Sequence, residues 1–369
     1  VMIIRAKTKM LFSGKPLTEK QQANTDLNLR EIQSGATELR SLPRRLVFEL
    51  TNACNLNCVM CGRNSAHFKP TMFDMEWFGW FESMLDTVEE VTLMGWGEPT
   101  VHPSFQQMLE IINRHSARKY FCTNGMLLDK LHNAIFDNQV DVFAVSVDGA
   151  RPETNDRIRR GSDLVKITRD LKAIEQTKKA NGLAFPYINF VFCAMASNLH
   201  ELPDLVRLAA EIGIEEVKVV YLTVFDDALR ADSLWDRQSE VRDVFAQAEQ
   251  IGNELGVVLK LPHIQGEGEA GDRAHKDCFV AWRDFFLGSD GYVRPCMSTP
   301  VKFFPFDMKR DFMDMWNDGS YRRYRAGVNA AGKMDAPCAR CYQSSHANWN
   351  RREAFLQMGE QFSPNWQKD

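Results

Sequence analysis

The chain has 369 residues, of which 44% are hydrophobic and 25% charged, and its formal net charge is −4. This is the composition of a globular protein large enough to bury a core without disulfide bonds. Acidic and basic residues are mixed along the chain, which argues against a nucleic-acid partner. Because no apolar run is long enough to cross a membrane and no signal peptide is evident, we expect a cytoplasmic protein without membrane contact.

Short apolar runs alternate with amphipathic stretches from about residue 45 onward. Six strands are predicted, at 46–52, 90–95, 119–125, 141–149, 187–198 and 215–225. Helices are predicted at 75–86, 104–116, 127–137, in the region up to about 180, at 201–213 and at about 237–255. This alternation indicates a parallel sheet with right-handed crossovers. Six units are too few for a closed eight-stranded barrel, so we expect an α/β fold with a partial (β/α)6 barrel and a ligand site at the carboxyl ends of its strands.

The alternation stops after Gly256, where the sequence becomes turn-rich. An Asp-Gly pair within 285–296 predicts a β-hairpin, and 310–328 has helical spacing. We expect a small C-terminal domain that needs metal for its stability. The predicted parts are a polar lead-in, the barrel, the small domain and a helical tail, at 1–44, 45–256, 257–345 and 346–369.

Nine cysteines are present, and seven of them fall into two groups. The first group contains Cys54, Cys58 and Cys61, and the second contains Cys278, Cys296, Cys338 and Cys341. In a cytoplasmic chain, clustered cysteines indicate metal binding or catalysis more often than disulfides.

The first group has the spacing C-x3-C-x2-C within TNACNLNCVMCG (51–62), on the loop after the first predicted strand. Three thiolates can hold three corners of a [4Fe–4S] cluster and leave the fourth iron open to a substrate or cofactor. Zinc prefers four ligands, so a zinc or plain electron-transfer site is the less favoured alternative.

This loop resembles the signature of the radical S-adenosylmethionine (SAM) superfamily. The resemblance implies that SAM binds the open iron, that an electron from the cluster cleaves it, and that the 5′-deoxyadenosyl radical removes a hydrogen atom from the substrate. It also implies an electron donor such as flavodoxin or ferredoxin. The residue before the last cysteine is often aromatic in the family, whereas here it is Met60, whose thioether can pack against adenine.

Further motifs of the family occur in order at the predicted strand ends. MGWGEPT (94–100) resembles the Gly-Gly-Glu-Pro stretch, with a tryptophan as its second residue, and CTNG (122–125) and SVDG (146–149) end the next two strands. The resemblance places SAM contacts at Gly95, Trp96, Gly97, Glu98, Pro99, Asn124, Ser146, Arg159 and Asn198. Glu98 would accept a hydrogen bond from the SAM ammonium, and Arg159, or its competitor Arg160, would bind the carboxylate. Arg159 and Asn198 could equally be a surface charge and a cap.

The second cysteine group follows the pattern C-x12-G-x4-C and then C-x2-C, which resembles the auxiliary-cluster domain of the SPASM/twitch subfamily. A full SPASM domain carries more cysteines, and His346 is the only further ligand nearby. The resemblance therefore implies one auxiliary [4Fe–4S] cluster with all irons capped, used for electron transfer. Spacing alone also permits zinc.

Three residues are candidates to line the barrel interior. Alternation along the fifth strand turns Cys193 inward and Phe190 and Phe192 outward, so Cys193 could donate a hydrogen atom or be a buried apolar residue. Glu49 on the first strand could bind a substrate, take its proton or pair with a lysine. Tyr221 on the sixth strand is the third candidate.

The predicted function is a radical SAM enzyme that oxidises or epimerises a small polar substrate, such as a sugar, aminocyclitol or amino-acid derivative. Modification of a peptide or protein side chain is the alternative. The shortness of the lead-in disfavours this alternative, because peptide modifiers often carry a recognition domain there. A non-catalytic iron–sulfur or zinc protein is the remote alternative, since the open iron would then have no use.

Overall fold

The computed structural model describes residues 15–65, 69–225, 227–262, 264, 278–296, 301–330, 332–333, 335 and 338. Its strands are β1 Arg45–Phe48, β2 Glu90–Leu93, β3 Arg118–Thr123, β4 Val142–Ser146, β5 Tyr187–Ala194, β6 Glu216–Tyr221, β7 Val258–Lys260, β8 Asp284–Leu287, β9 Tyr292–Arg294 and β10 Phe304–Pro305. Its α-helices are α1 Glu19–Ser34, α2 Met75–Trp80, α3 Phe105–Asn113, α4 Leu128–Asp137, α5 Pro152–Ile158, α6 Leu164–Ala180, α7 Leu202–Ile212, α8 Gln238–Leu255, α9 Val280–Arg283, α10 Phe312–Trp316 and α11 Gly319–Gly327. The predicted tail at 346–369 lies outside the described residues.

The strands form one sheet in the order β10-β9-β8-β1-β2-β3-β4-β5-β6-β7. Strands β1 to β6 lie side by side in chain order and run parallel. Among the strands that the structure describes, the outer two, β7 and β10, do not pair with each other, so this sheet does not close. The predicted α/β fold with a partial barrel is therefore confirmed, and the carboxyl ends of the parallel strands meet at one edge.

The sheet continues beyond the six predicted strands. Strand β7 pairs with β6, and β8 pairs in parallel with β1, with Arg45 opposite Asp284. The predicted hairpin is present, because β8 and β9 are antiparallel and Leu287 lies opposite Val293. Strand β7 was not predicted, because its three residues are too few to show a period in the sequence. Strand β8 belongs to the predicted hairpin, and only its pairing with β1 was not predicted.

The two faces of β5 differ as the alternation predicts. Phe190 and Phe192 are buried in the main core together with the apolar faces of the helices. Val191 contacts the separate cluster on the inner face, which includes Val47 and Tyr120. The inner face is therefore the one that can present side chains to a ligand.

The described part of the lead-in contains a helix, α1, which begins at a capping box on Thr18 and ends at Gly35 in the left-handed region. Asn28 on α1 donates a hydrogen bond to the backbone oxygen of Trp282 at 2.7 Å. The N-terminal segment thereby packs on the segment that carries the second cysteine group. In the described ranges, no helix combines the length and apolar character that a membrane crossing requires.

Arg325 on α11 joins three parts of the chain. Its guanidinium donates hydrogen bonds to the backbone oxygens of Ala281 at 2.9 Å, Thr37 at 2.9 Å and Trp316 at 2.9 Å. The side chain is buried and also lies 4.4 Å from the centroid of the Trp316 ring. Removal of the guanidinium would leave these oxygens without donors.

We predict that Arg325→Met lowers the free energy of unfolding by about 3 kcal/mol, because each buried oxygen that loses its donor is costly. Arg322→Met is the matched control, because Arg322 is half exposed and makes one surface ion pair with Glu38 at 3.4 Å. Its expected cost is below about 1 kcal/mol. Urea unfolding measures both, and equal losses would contradict the role assigned to Arg325.

Candidate active site

The loop that carries the first three cysteines follows β1 at the carboxyl edge of the sheet. Its backbone is held from one side, since Asn57 N–H donates to the Arg160 oxygen and Val59 N–H to the Ile158 oxygen, both at 2.9 Å. Gly161, at φ +95°, packs on Leu56 and occupies a backbone region that favours glycine. The loop is thus fixed against the segment after α5.

The three thiols fit an iron–sulfur cluster better than a single ion. Cys54, Cys58 and Cys61 are each half-buried and none forms a disulfide. Among the described residues, no three Cys, His, Asp or Glu side chains converge closely enough to hold one metal ion. Three thiolates on one loop can instead be ligands of an iron–sulfur cluster, in which each thiolate binds a different iron.

Burial acts on the protonation of two of these thiols. It raises the pKa of Cys54, and it raises the pKa of Cys58 to about 11. Both are therefore neutral thiols at pH 7 when no metal is bound, and iron would bind them with release of protons.

Gly97 lets the loop after β2 lie directly on the cysteine loop. Its N–H donates to the Thr51 oxygen at 3.1 Å, and the next N–H, of Glu98, donates to the Ala53 oxygen at 2.9 Å. A Cβ atom on Gly97 would lie 2.1 Å from the Ala53 oxygen. No side chain fits there, so glycine is required by close backbone approach.

Glu98 ties the ends of β2 and β3 together. Its Oε1 accepts from Thr123 Oγ1 at 2.7 Å and from Thr100 Oγ1 and N–H at 2.6 and 3.2 Å. Its Oε2 accepts from the Asn124 N–H at 2.7 Å. The same carboxylate caps a short 3-10 helix that starts at Pro99. Glu98 is buried, so its main use within the chain is to fix these strand ends.

Asn124 extends this connection to the cysteines. Its Nδ2 donates to Asn55 Oδ1 at 2.7 Å and lies 3.8 Å from Cys54 Sγ, and its Oδ1 accepts from the Met126 N–H at 3.0 Å. The end of β3 therefore contacts the first cysteine directly.

Arg159 forms a buried ion pair with Asp148, with 2.7 Å between Nη2 and Oδ2. It is therefore not the surface charge that the sequence allowed. Arg159 also interacts electrostatically with Cys58, which places its charge beside the cysteine loop. Its Nε is buried and has no hydrogen-bond partner within the described chain. Sequence reasoning missed Asp148, although SVDG contains it.

Asn198 is buried, and its side-chain amide forms hydrogen bonds with the backbone. Its Nδ2 donates to the oxygens of Asp148 and Cys193, both at 3.0 Å, and its Oδ1 accepts from the Met195 N–H at 2.8 Å. Because the residue is fully buried and its amide is hydrogen-bonded to the backbone, it joins the end of β4 to β5. The contact with adenosine stays a prediction.

Met60 and Cys193 lie in one small cluster between the cysteine loop and the ends of β5 and β6, together with Met195 and Leu222. Cys193 is half-buried, as an inward position predicts. Ser146 ends β4, and its Oγ lies 3.8 Å from Cys122 Sγ. These side chains line the space beside the cysteine loop.

Trp96 crosses the mouth of the partial barrel. Its ring meets Phe225, which follows β6, edge to face at 5.8 Å between centroids. A Cβ on Gly62 would lie 2.9 Å from the Trp96 ring and 3.1 Å from that of Phe225. The two rings thus cover the residue after Cys61. Nothing in the sequence marked Phe225 as a site residue, since it is only the last residue of the strand predicted at 215–225.

Glu49 faces inward, as predicted, and its partners are backbone and hydroxyl groups. Oε1 accepts from the Trp96 N–H at 2.9 Å, and Oε2 accepts from Ser289 Oγ at 3.2 Å and its N–H at 3.4 Å. Gly95 is needed beside it, because a Cβ there would lie 2.3 Å from Glu49 Cγ. Burial raises the pKa of the Glu49 carboxyl. Ser289, in the β8–β9 turn, was not predicted from sequence.

Tyr221 does not line the interior, so that prediction is wrong. Its ring stacks on Phe245 of α8 at 6.2 Å between centroids, and its hydroxyl lies 3.5 Å from Gln238 Oε1. The last residue of β6 shares the outer face with Val219 and Val217, since alternate residues point to the same side.

Three members of the second cysteine group are described. Cys278 precedes α9, its N–H donates to Asn329 Oδ1 at 2.8 Å, and Cys296 follows β9. Cys338 is buried, and its Sγ lies 3.3 Å from the hydroxyl of Tyr324. Cys341 lies outside the described residues.

Comparison with known proteins agrees with both cysteine groups. The sequence model of the radical SAM superfamily matches residues 48–190, and that of SPASM, an iron–sulfur cluster-binding domain, matches residues 278–342.

Two curated proteins are similar in sequence. The tungsten-containing aldehyde ferredoxin oxidoreductase cofactor-modifying protein of Pyrococcus furiosus is 26% identical over 68% of this chain and 70% of its own length. The AdoMet-dependent heme synthase of Methanosarcina barkeri is 26% identical over 84% of this chain and 94% of its own length.

A solved structure, Streptococcus suis SuiB bound to the precursor peptide SuiA, shares the fold. Its TM-score is 0.62 at 15% identity, over 86% of this chain and 73% of that one.

We predict that Gly97→Ala lowers the free energy of unfolding by about 2–4 kcal/mol and weakens iron retention, because its methyl group meets backbone atoms that cannot move aside. Gly79→Ala in α2 is the control, since nothing lies within 4 Å of its added Cβ. It should stabilise the helix by about 0.5–1 kcal/mol. Iron content and urea unfolding measure both variants, and a stable, fully loaded Gly97→Ala protein would refute the close approach.

We predict that two substitutions of Glu49 lower the free energy of unfolding by different amounts. Glu49→Ala leaves Trp96 N–H and Ser289 without an acceptor and should cost about 1–3 kcal/mol. Glu49→Gln keeps an acceptor and removes the buried charge, so it should cost less.

The pH dependence follows from the raised pKa of Glu49. A carboxyl with a raised folded-state pKa contributes stability below its unfolded pKa, and this is lost as pH rises through the folded value. The stability of the unaltered protein relative to Glu49→Gln should therefore fall from pH 4 to pH 8. Urea unfolding across this range measures the difference, and a difference that rises with pH would contradict it.

Proposed function

The chain is a radical SAM protein with a C-terminal SPASM domain, and on this basis we propose that it oxidises a small polar substrate by removing a hydrogen atom and then an electron and a proton. The observation that supports this is the placement of both cysteine groups on one sheet. Strand β8, which lies between Cys278 and Cys296, pairs directly with β1, which leads into Cys54. Because β8 is parallel to β1, Cys54 follows the end of this strand pair and Cys278 precedes its start. An electron acceptor within the same sheet as the radical site suits oxidation.

Cys54, Cys58 and Cys61 would hold three irons of the first cluster and leave the fourth for SAM. When bound, SAM and this cluster supply a 5′-deoxyadenosyl radical. Met60 and Trp96 would flank the nucleoside, since both lie against the cysteine loop. Arg159, whose Nε is unpaired, would bind the SAM carboxylate while Asp148 holds its side chain.

The proposed reaction is a two-electron oxidation of the substrate. The substrate C–H bond would break, with its hydrogen atom passing to the 5′-deoxyadenosyl carbon. Cys278, Cys296, Cys338 and Cys341 would hold the second cluster, which would supply the acceptor for one further electron, and Glu49 would take the proton. Glu49 suits the proton because burial raises its pKa and because it faces the interior beside Ser289.

Two of the relatives favour a small-molecule substrate over a peptide. One is named as a cofactor-modifying protein and the other as a heme synthase, and neither a cofactor nor heme is a peptide. An external donor such as flavodoxin or ferredoxin would deliver the electron that starts each turnover.

We predict that anaerobically reconstituted protein releases 5′-deoxyadenosine when SAM and dithionite are added, and that Cys58→Ala abolishes the release. The unaltered chain should hold about eight irons, and Cys58→Ala should retain about four in the second group. Liquid chromatography of the nucleoside and an iron assay measure these quantities. No release from protein with both clusters intact would contradict the proposal.

The substitution Cys193→Ala distinguishes oxidation from epimerisation. An epimerase that uses this thiol as hydrogen donor would lose its product in Cys193→Ala, whereas an oxidase should form product and consume one SAM for each. The thiol lies near Met60, so its position permits either role.

A peptide is the second candidate substrate. Three exposed apolar residues lie beside the barrel mouth or on the segment after β6, namely Met72, Val224 and Trp235, with 48%, 39% and 61% of their surface exposed. Met72 pairs with Thr51, next to the cysteine loop. SuiB, which shares the fold, was solved with a precursor peptide. Joint replacement of Met72 and Trp235 by serine should weaken the binding of a peptide substrate far more than the binding of a small-molecule substrate.

A further inference from the structure

Tyr324 on α11 lies at the second cysteine group although it is not a ligand type for iron in such a site. Its hydroxyl is 3.3 Å from Cys338 Sγ, and both residues are buried. Its ring packs edge to face on Phe303, with 5.6 Å between centroids. The phenol is therefore aimed at one sulfur and held there by packing.

The Tyr324 phenol lies within electrostatic range of the other two described cysteines of the group, Cys278 and Cys296, as well as of Cys338. Only Cys338 lies within hydrogen-bond distance of its hydroxyl. A protonated phenol at this place can always act as a hydrogen-bond donor.

The direction of the hydrogen bond follows from the chemistry of a ligand. In the free thiol, either Tyr324 or Cys338 could be the donor. A cysteine that binds iron is a thiolate and has no proton to donate. With iron bound, the proton between the two atoms must therefore belong to Tyr324.

We propose that Tyr324 is a positioning residue that donates a hydrogen bond to the Cys338 sulfur and thereby raises the reduction potential of the second cluster. The inference rests on the proposed second cluster, though not on the identity of the substrate. Reduction adds negative charge to a cluster and its thiolates, and a donor to sulfur stabilises the more negative state. The cluster would then accept an electron from a substrate radical more readily.

The local structure supports a fixed donor. The Val328 N–H donates a hydrogen bond to the backbone carbonyl oxygen of Tyr324 at 2.8 Å. The helical hydrogen-bond pattern of α11 therefore continues past Tyr324. Asn329 then holds Cys278 from both sides, accepting from its N–H at 2.8 Å and donating to its oxygen at 3.3 Å. One short segment thus places the phenol and one cysteine relative to each other, as is usual for residues around metal ligands.

The test is a redox titration of the second cluster followed by electron paramagnetic resonance (EPR). The full chain is used with Cys54, Cys58 and Cys61 changed to alanine, so that only the second cluster gives a signal. In this background Tyr324→Phe should shift the one-electron reduction equilibrium about tenfold toward the oxidised cluster, which is about 59 mV to lower potential. Iron and sulfide contents should stay near four each.

Tyr321→Phe is the matched control. Tyr321 is a buried tyrosine on the same helix, and among the described contacts its hydroxyl has no hydrogen bond to a cysteine. The potential should not change in this variant. Equal potentials in Tyr324→Phe and the parent protein, with iron retained, would overturn the role of Tyr324 alone. Zinc in place of iron in the parent would overturn both this role and the proposed second cluster.

A measurement on the protein with Tyr324 in place covers the case in which Tyr324→Phe does not fold. Pulsed EPR of the reduced second cluster should detect a proton coupling that disappears after exchange into D2O. The absence of any exchangeable coupling would overturn the proposal.

Discussion

The geometry of the site depends on backbone contact between the cysteine loop and the loop after β2. The cysteine loop has little regular structure of its own, so its shape is set by what it touches. Gly97 and Glu98 donate to Thr51 and Ala53 on one side, and Val59 donates to Ile158 on the other. The first of these contacts exists only because Gly97 has no side chain. Three thiols are thereby held in place before any iron arrives, which lowers the entropy cost of cluster binding.

The neighbouring polar residues then act mainly on the strand ends. Glu98 joins β2 to β3, Asn198 joins β4 to β5, and Glu49 joins β1 to the β8–β9 turn. Each carries hydrogen bonds that a buried polar group needs. Residues of the family's motifs therefore need not all touch SAM, and several of them serve by holding the loops that do.

Much of this could be predicted from the sequence. The six central strands, the hairpin and the inward position of Cys193 and Glu49 follow from periodicity, because long elements repeat it several times. Strand β7 was not predicted, since three residues show no period, and the pairing of β8 with β1 was not predicted because the two segments are far apart in the chain. Tyr221 was assigned to the wrong face of the sheet, because the alternation of inward and outward residues is poorly defined at the end of a strand. The partners that matter most, such as Asp148 for Arg159 and Tyr324 for Cys338, are 11 and 14 residues apart and meet only after folding.

The central claim is that the first group leaves one iron open and the second does not. It is tested by EPR of the reduced protein with and without SAM in two triple variants. One variant lacks Cys54, Cys58 and Cys61, and the other lacks Cys278, Cys296 and Cys338. SAM should change the spectrum of the second variant, which keeps the open iron, and leave that of the first unchanged. A SAM-dependent change in the first variant, or none in the second, would contradict the account.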